Sequence, residues 1–225
     1  MYDLGRQQTS EVADGERFSQ YFDWHAGTRR LAAFRGNELE LWAGEPLKLQ
    51  KRITTHPAGH ARFSPDGTQL AVVSRLSVKI FTVASGDAAC TIDLVKHQET
   101  NRSSKFIKSI EWRPDGSALT TGTNMGAIHL WNPDDGNLLQ AIHLLPHNFP
   151  CNEMHWHPTD PVLAVATRYG YVFTLDTEQH KLAWHKKIDR DYATTVRWNP
   201  SGTMAAGATS GTSDGSRLVV WSRDG

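Results

Sequence analysis

A large aromatic residue followed by a tight-turn phrase returns five times along this chain, at Trp24 (WHAGT), Phe63 (FSPDGT), Trp112 (WRPDGS), Trp156 (WHPTDP) and Trp198 (WNPSGT). The interval is about 40 to 50 residues, and self-similarity at that period demands stacked copies of one small unit rather than a single irregular core. A second large residue closes an alternating run downstream of each first one: Trp42 (LELW), Phe81 (VKIF), Trp131 (IHLW), Leu175 (VFTL) and Trp221 (LVVW). Two sets of anchors therefore run in step through the whole sequence.

Between anchors the chemistry repeats as well. Pro, Asp and Gly after the first anchor set the backbone angles of a tight turn and stop the preceding strand. Short apolar runs follow, at Leu31 to Phe34, Leu70 to Val73, Ala118 to Thr121, Val162 to Ala166 and Met204 to Ala208. Their length, their small and β-branched residues and their flanking turns predict strands. A brief turn leads into the alternating strand that carries the second anchor. The more polar segments Asp87 to Asp93, Asn137 to Leu144 and Lys181 to Ile188 then read as half-exposed outer strands. Helical periodicity is absent, so the fold class predicted is all-β, with five four-stranded units in radial array.

These phrases resemble the WD-repeat β-propeller family, whose blades show a phrase like FSPDG, an apolar strand with small residues, and a strand ending in Trp-Asp. Phe63 to Gly67, Trp112 to Gly116 and Trp198 to Gly202 match the first phrase, and Trp42, Trp131 and Trp221 match the final tryptophan. The resemblance implies a single propeller domain over 1–225, with blades at about 11–54, 55–93, 106–144, 152–188 and 193–225. It also shows what is missing. The Asp that the family places before the final strand is replaced around Gly36, Arg75, Met125 and Tyr169, and only Asp214-Gly215 is similar to it. The Gly-His opening is reduced to His56 and His147. A buried histidine without that Asp would stand unpaired at about 1–3 kcal/mol, so these blades are expected to hold by packing.

A sheet stack of this kind exposes strand edges unless its ends pair. Tyr2-Asp3 is similar to a Trp-Asp strand end, and the last blade stops after its third strand. Residues 1–10 are therefore expected to serve as the outer strand that closes the last blade. The alternative is a piece of a longer propeller, seven blades being the family's usual count.

Composition narrows the function. At 225 residues the chain can bury roughly 70% of its unfolded surface without a metal or disulfide. Lys plus Arg and Asp plus Glu both number 24, so no global field directs it toward nucleic acid or anionic membrane, and neither is expected as a partner. Two cysteines, Cys90 and Cys151, make no disulfide framework and fit a reducing compartment; the expected location is cytoplasmic.

No catalytic motif is present: GxSxG, GxxxxGK and HExxH are all missing. His155 and His157 share one strand face at a spacing that can serve zinc or copper, but sibling blades fill those slots with Arg62 and Ser64, Glu111 and Arg113, or Arg197 and Asn199. Repeat equivalence makes them structural, and no metal or cofactor is predicted. Asp134, Asp135, Asp189 and Asp191 occupy turn contexts in which Asp caps the backbone. Asp23, Arg62, Glu111, His155 and Arg197 share the innermost-strand slot, where mixed charge reads as solvated or mutually paired side chains rather than an active centre.

The loops differ between repeats, and a rigid scaffold concentrates binding there. The resemblance implies that one face gathers Arg35, Arg75, Arg102, Phe106, Met125, Phe149, Arg168, Tyr169, Arg190 and Tyr192. Arginine and aromatics are the residues enriched in protein-interface hot spots. The function expected is a non-enzymatic scaffold or adaptor that binds a protein or peptide on that face. Two alternatives stand: a propeller that binds or acts on a small ligand at the central channel through Arg62, Glu111, His155 and Arg197, or a partial propeller that completes a ring with another chain. The chain is accordingly expected to be a monomer or a self-assembling partial propeller.

Overall fold

A computed structural model describes residues 21–55, 59–97, 106–143, 149–188, 192–210 and 218–222. The described chain is all-β apart from one 3₁₀ turn at Leu94–His97. Its first four sheets are antiparallel meanders of four strands: β1 (Phe22–His25) to β4 (Lys48–Thr54) through β2 (Arg30–Arg35) and β3 (Glu38–Ala43); β5 (Ala61–Phe63) to β8 (Ala88–Asp93) through β6 (Gln69–Ser74) and β7 (Ser77–Thr82); β9 (Ile107–Trp112) to β12 (Leu138–His143) through β10 (Leu119–Thr123) and β11 (Ala127–Trp131); and β13 (Cys151–Trp156) to β16 (Lys181–Lys187) through β14 (Val162–Thr167) and β15 (Tyr171–Asp176). The fifth has three described strands, β17 (Tyr192–Trp198), β18 (Met204–Ser210) and β19 (Leu218–Ser222). These sheets are the blades of a β-propeller. Residues 1–10, expected to close the ring, lie outside the described residues, as do His56, His147, Asp214 and Gly215. No described helix is long and apolar enough to cross a membrane.

The two anchors meet in one row across each sheet. Trp24 faces Leu31, which faces Trp42; the corresponding rows are Phe63, Leu70 and Phe81; Trp112, Leu119 and Trp131; Trp156, Leu163 and Leu175; Trp198, Ala205 and Trp221. A register shift immediately before the second anchor recurs in all four four-stranded blades, at Leu41/Trp42, Ile80/Phe81, Leu130/Trp131 and Thr174/Leu175. Such bulges bend a strand and increase its twist, which each outer strand needs to follow its blade.

No blade holds a core of its own. One cluster joins Phe34, Leu39 and Leu41 of the first blade to Phe63, Leu70 and Phe81 of the second. Another joins Val73, Ile80 and Ile92 of the second to Ile110, Trp112 and Trp131 of the third. The same sharing links the third blade with the fourth and the fourth with the fifth. Because packing against a neighbouring blade covers sheet faces, polar positions are buried too: Glu40, Thr120, Thr121 and Thr123 are inaccessible.

These buried polar groups modify the packing-only expectation for the blades. Trp131 Nε1 donates to Thr121 Oγ1 at 2.9 Å, and Trp156 Nε1 donates to Thr120 Oγ1 of the preceding blade at 3.0 Å. In the first blade a buried carboxylate stands in: Glu40 accepts from Arg52 Nε at 3.0 Å, Trp42 Nε1 at 3.2 Å and Arg35 Nη2 at 3.3 Å.

Candidate partner-binding face

The connections into the inner strands and the turns between second and third strands share one end of the blades, and backbone hydrogen bonds tie them together. Ile107 N–H donates to Arg75 O at 2.7 Å, Asn124 N–H to Phe106 O at 3.1 Å, and Arg168 N–H to Pro150 O at 3.1 Å. Phe106 N–H in turn donates to Asn124 Oδ1 at 3.1 Å. Gly126 makes a further join possible. Its φ is +84°, and a Cβ there would lie 2.6 Å from Phe149 O and 2.9 Å from Phe149 N; the Met125 turn and the Phe149 segment therefore lie in direct contact.

Phe149 carries the aromatic part of this face. Its ring meets Tyr169, Tyr171 and Phe173 edge-on, at centroid distances of 5.1, 5.4 and 6.0 Å. Tyr169 remains 51% exposed and Phe106 40% exposed. Beside them the Arg168 guanidinium lies 5.5 Å from the centre of the Tyr192 ring. It is also hydrogen-bonded to Tyr192, which raises its already high pKa. The structure thus collects Arg75, Phe106, Met125, Phe149, Arg168, Tyr169 and Tyr192 on blades two to five. Arg35 differs, because its guanidinium turns to the buried Glu40 of its own blade. Arg102 and Arg190 lie outside the described residues, as do Asp189 and Asp191.

The channel below this face is an ionic network. Arg62 approaches Asp23 and Glu111 at 3.6 Å each and Glu153 at 4.0 Å, and Arg197 reaches Glu153 at 2.5 Å. Asp23 accepts from Phe63 N–H at 2.8 Å and His155 Nδ1 from Trp198 N–H at 3.1 Å, so the inner strands of the first and fourth blades are pinned to the next blade. Burial, then the charges of Arg62 and Lys108, lowers His60 to about 4; burial, then Arg197, lowers His155 to about 4. Both imidazoles are neutral at physiological pH, as an accepting His155 Nδ1 requires. Desolvation raises Glu111 to about 7 against the opposing pull of Arg62 and Arg197.

Glu153 is the channel residue that the shared-slot reading left out. It sits two residues before His155 on the same strand, and period-two alternation from His155 was the available signal. His157 faces elsewhere: Nδ1 accepts from Asp160 N–H at 3.0 Å while Nε2 meets Gly202 O at 2.9 Å. It clamps the turn of the fifth blade. His25 does the same for the second blade, with Nδ1 accepting from Thr28 N–H at 3.1 Å and Nε2 meeting Pro65 O at 3.0 Å. Cys90 and Cys151 are free thiols, and burial pushes Cys151 up to about 12, where it is an inert core side chain.

The channel residues Asp23, Arg62, Glu111, His155 and Arg197 also line an open cavity of about 820 Å³ at the other end, together with the anchors Trp24, Phe63, Trp112, Trp156 and Trp198 and the turn prolines. It joins the repeating anchors and turns to the inner-strand channel residues.

No family model matches the chain. Over 107 residues it is 34% identical to the WD repeat-containing protein VIP3 of Arabidopsis thaliana, an alignment covering 44% of this chain and 33% of that protein. Over 125 residues it is 30% identical to telomerase protein component 1 of Mus musculus, covering 54% of this chain and 4% of that protein. The alignments therefore span a third of the first relative and a small fraction of the second.

Proposed function

We propose that this β-propeller, whose repeats resemble those of the WD-repeat family, is a non-catalytic scaffold that captures a protein or peptide partner on the face carrying Phe106, Met125, Phe149, Arg168, Tyr169 and Tyr192. The observation that carries this reading is the exposed Tyr169 ring backed by the fixed Phe149, Tyr171 and Phe173 stack, with Arg168 held beside it on Tyr192. Rigid aromatic and arginine groups lose little freedom on binding and dominate interface energies. The channel offers a small ligand less, because Arg62, Glu111, His155 and Arg197 already engage one another, Glu153 or the backbone.

The double variant Arg168→Ala, Tyr169→Ala should reduce recovery of captured partners about tenfold or more, with an unchanged melting temperature. Gln179→Ala with Lys181→Ala serves as the control pair, since their turn lies at the opposite end of β15 from Arg168. Partner recovery unchanged by the first pair counts against the proposal.

A second reading rests on the end blades. Phe22 and Trp24 on the first and Leu218 and Val220 on the last stay exposed, whereas the anchors equivalent to Trp24 in the other four blades, Phe63, Trp112, Trp156 and Trp198, are buried. In that reading these end faces pack against blades of another copy. Sedimentation velocity should then report two or more chains at micromolar concentration; a single-chain mass removes this form of assembly.

A further inference from the structure

The inner strands of blades three, four and five carry the same irregularity. Register shifts between the partners of Ile107 and Ser109, of Cys151 and Glu153, and of Ala193 and Thr195 leave Lys108, Asn152 and Thr194 as the extra residue of each bulge. Bulges re-aim a side chain out of the alternating pattern and are frequent beside functional sites. Here three of them converge. Lys108, Asn152 and Thr194, with Arg168 and Tyr192, line an open pocket of about 410 Å³ on the proposed partner face.

The chemistry of this pocket is one-sided. Among its five described lining residues two are cations, three carry an amide or hydroxyl, and none is a carboxylate. Elsewhere in the described structure arginines are matched to acids: Arg62 to Asp23, Glu111 and Glu153, Arg197 to Glu153, Arg113 to Asp115, and Arg52 to Glu40. Lys108 and Arg168 rest instead on aromatic rings, Lys108 Nζ at 5.8 Å from Phe106 and Arg168 at 5.5 Å from Tyr192. Such contacts orient a cation without neutralising it. Asn152 is oriented as well, donating one amide hydrogen to Ala193 O at 2.9 Å.

We propose that this pocket is the specificity site of the partner face and binds an anionic side chain of a peptide segment, a carboxylate or a phosphorylated residue. Lys108 and Arg168 supply its charge partners, and Asn152 supplies a neutral hydrogen bond. The inference rests on the scaffold reading above and adds the chemical class that the partner presents. Either anion satisfies the same cations, the guanidinium matching two oxygens of a carboxylate or phosphate at once.

The test uses the full chain and immobilised degenerate peptide pools of one length that differ only in a fixed central residue: Glu, phosphoserine, phosphothreonine, Ser or Lys. The Glu or phosphorylated pools should be retained about tenfold more than the Ser and Lys pools, the effect of one charge-assisted hydrogen-bonded contact. The variant Lys108→Ala, Arg168→Ala should abolish that preference while its melting temperature stays unchanged. Phosphorylated pools ahead of Glu pools identify a phosphate site, and equal retention identifies a general acid site; both support the proposal. Equal retention of all five pools that is lost in Arg168→Ala, Tyr169→Ala overturns the anion site and leaves the scaffold reading standing. Retention indifferent to both variants overturns both, and no retention of any pool overturns the anion site.

Discussion

Replacing Trp131 with alanine should destabilise the protein by about 3–5 kcal/mol, the range for removing a buried large aromatic side chain. The side chain is fully inaccessible and belongs to the cluster shared by blades two and three, among Val73, Ile80, Ile110 and Leu119. The cavity would therefore open between two sheets whose other faces are held by the cores that they share with blades one and four, which limits how far they can close on it. Thr121 Oγ1 would also lose the indole N–H that it now accepts. Trp131→Phe keeps most of the ring and should lose roughly 1–3 kcal/mol, mainly through that hydrogen bond and a smaller void. The comparison that gives the experiment its force is Trp24→Ala. Trp24 occupies the first-anchor slot of its repeat but is 46% exposed, so its removal should cost clearly less. Urea unfolding of the three variants tests this order; Trp24→Ala as damaging as Trp131→Ala would mean that burial between blades is not what makes an anchor matter.

Glu40→Ala should cost about 3 kcal/mol, toward the lower end of the range for breaking a buried ion pair. The Glu40 side chain is fully inaccessible, Arg35 is 18% exposed and Arg52 is 51% exposed. Once the carboxylate is gone, Arg52 can turn to water, but Arg35 and the Trp42 indole N–H are left facing a low-dielectric interior. That difference sets the expected magnitude. Glu40→Gln retains the shape and one acceptor oxygen, its NH2 replacing the other, and should fall between wild type and Glu40→Ala, while Arg52→Ala should be the mildest because its partner keeps Arg35. Equilibrium unfolding that found Arg52→Ala worse than Glu40→Ala would overturn this account. The result also bears on binding, since an Arg35 variant would lose partner capture through the weakened first blade as well as through any lost contact.

The anchor rows were legible before any coordinates because they repeat. Each of the five phrases is ambiguous alone, but a turn cluster, a short apolar run and a closing large residue in the same order five times admit one architecture, and the strands formed where those runs lie. The missing Asp of the blade turns was equally visible. Its substitute was not: Glu40 sits in ELELW, where alternation marks it as outward and solvated. Thr120 and Thr121 lie at the end of a run that reads as an apolar strand, but their pairing with the Trp156 and Trp131 indoles depends on a neighbouring blade and a neighbouring strand.

The candidate face divides along the same line. Tyr169, Phe106 and Arg168 could be picked out as loop residues that break the repeat. Arg35 looked equivalent to them, yet it folds back onto Glu40. Lys108, Asn152 and Thr194 could not be picked out, because their common feature is a register shift that depends on the partner strand.

The sequence by itself determined the unit and the number of its copies, since backbone turns and strand alternation are local and their period survives in the order of residues. Only the tertiary structure decided which polar groups are buried and which side chains meet. A blade packs against the blade beside it, so burial depends on the adjacent repeat. A bulge belongs to a pair of strands, and the pocket it helps to form belongs to three successive blades.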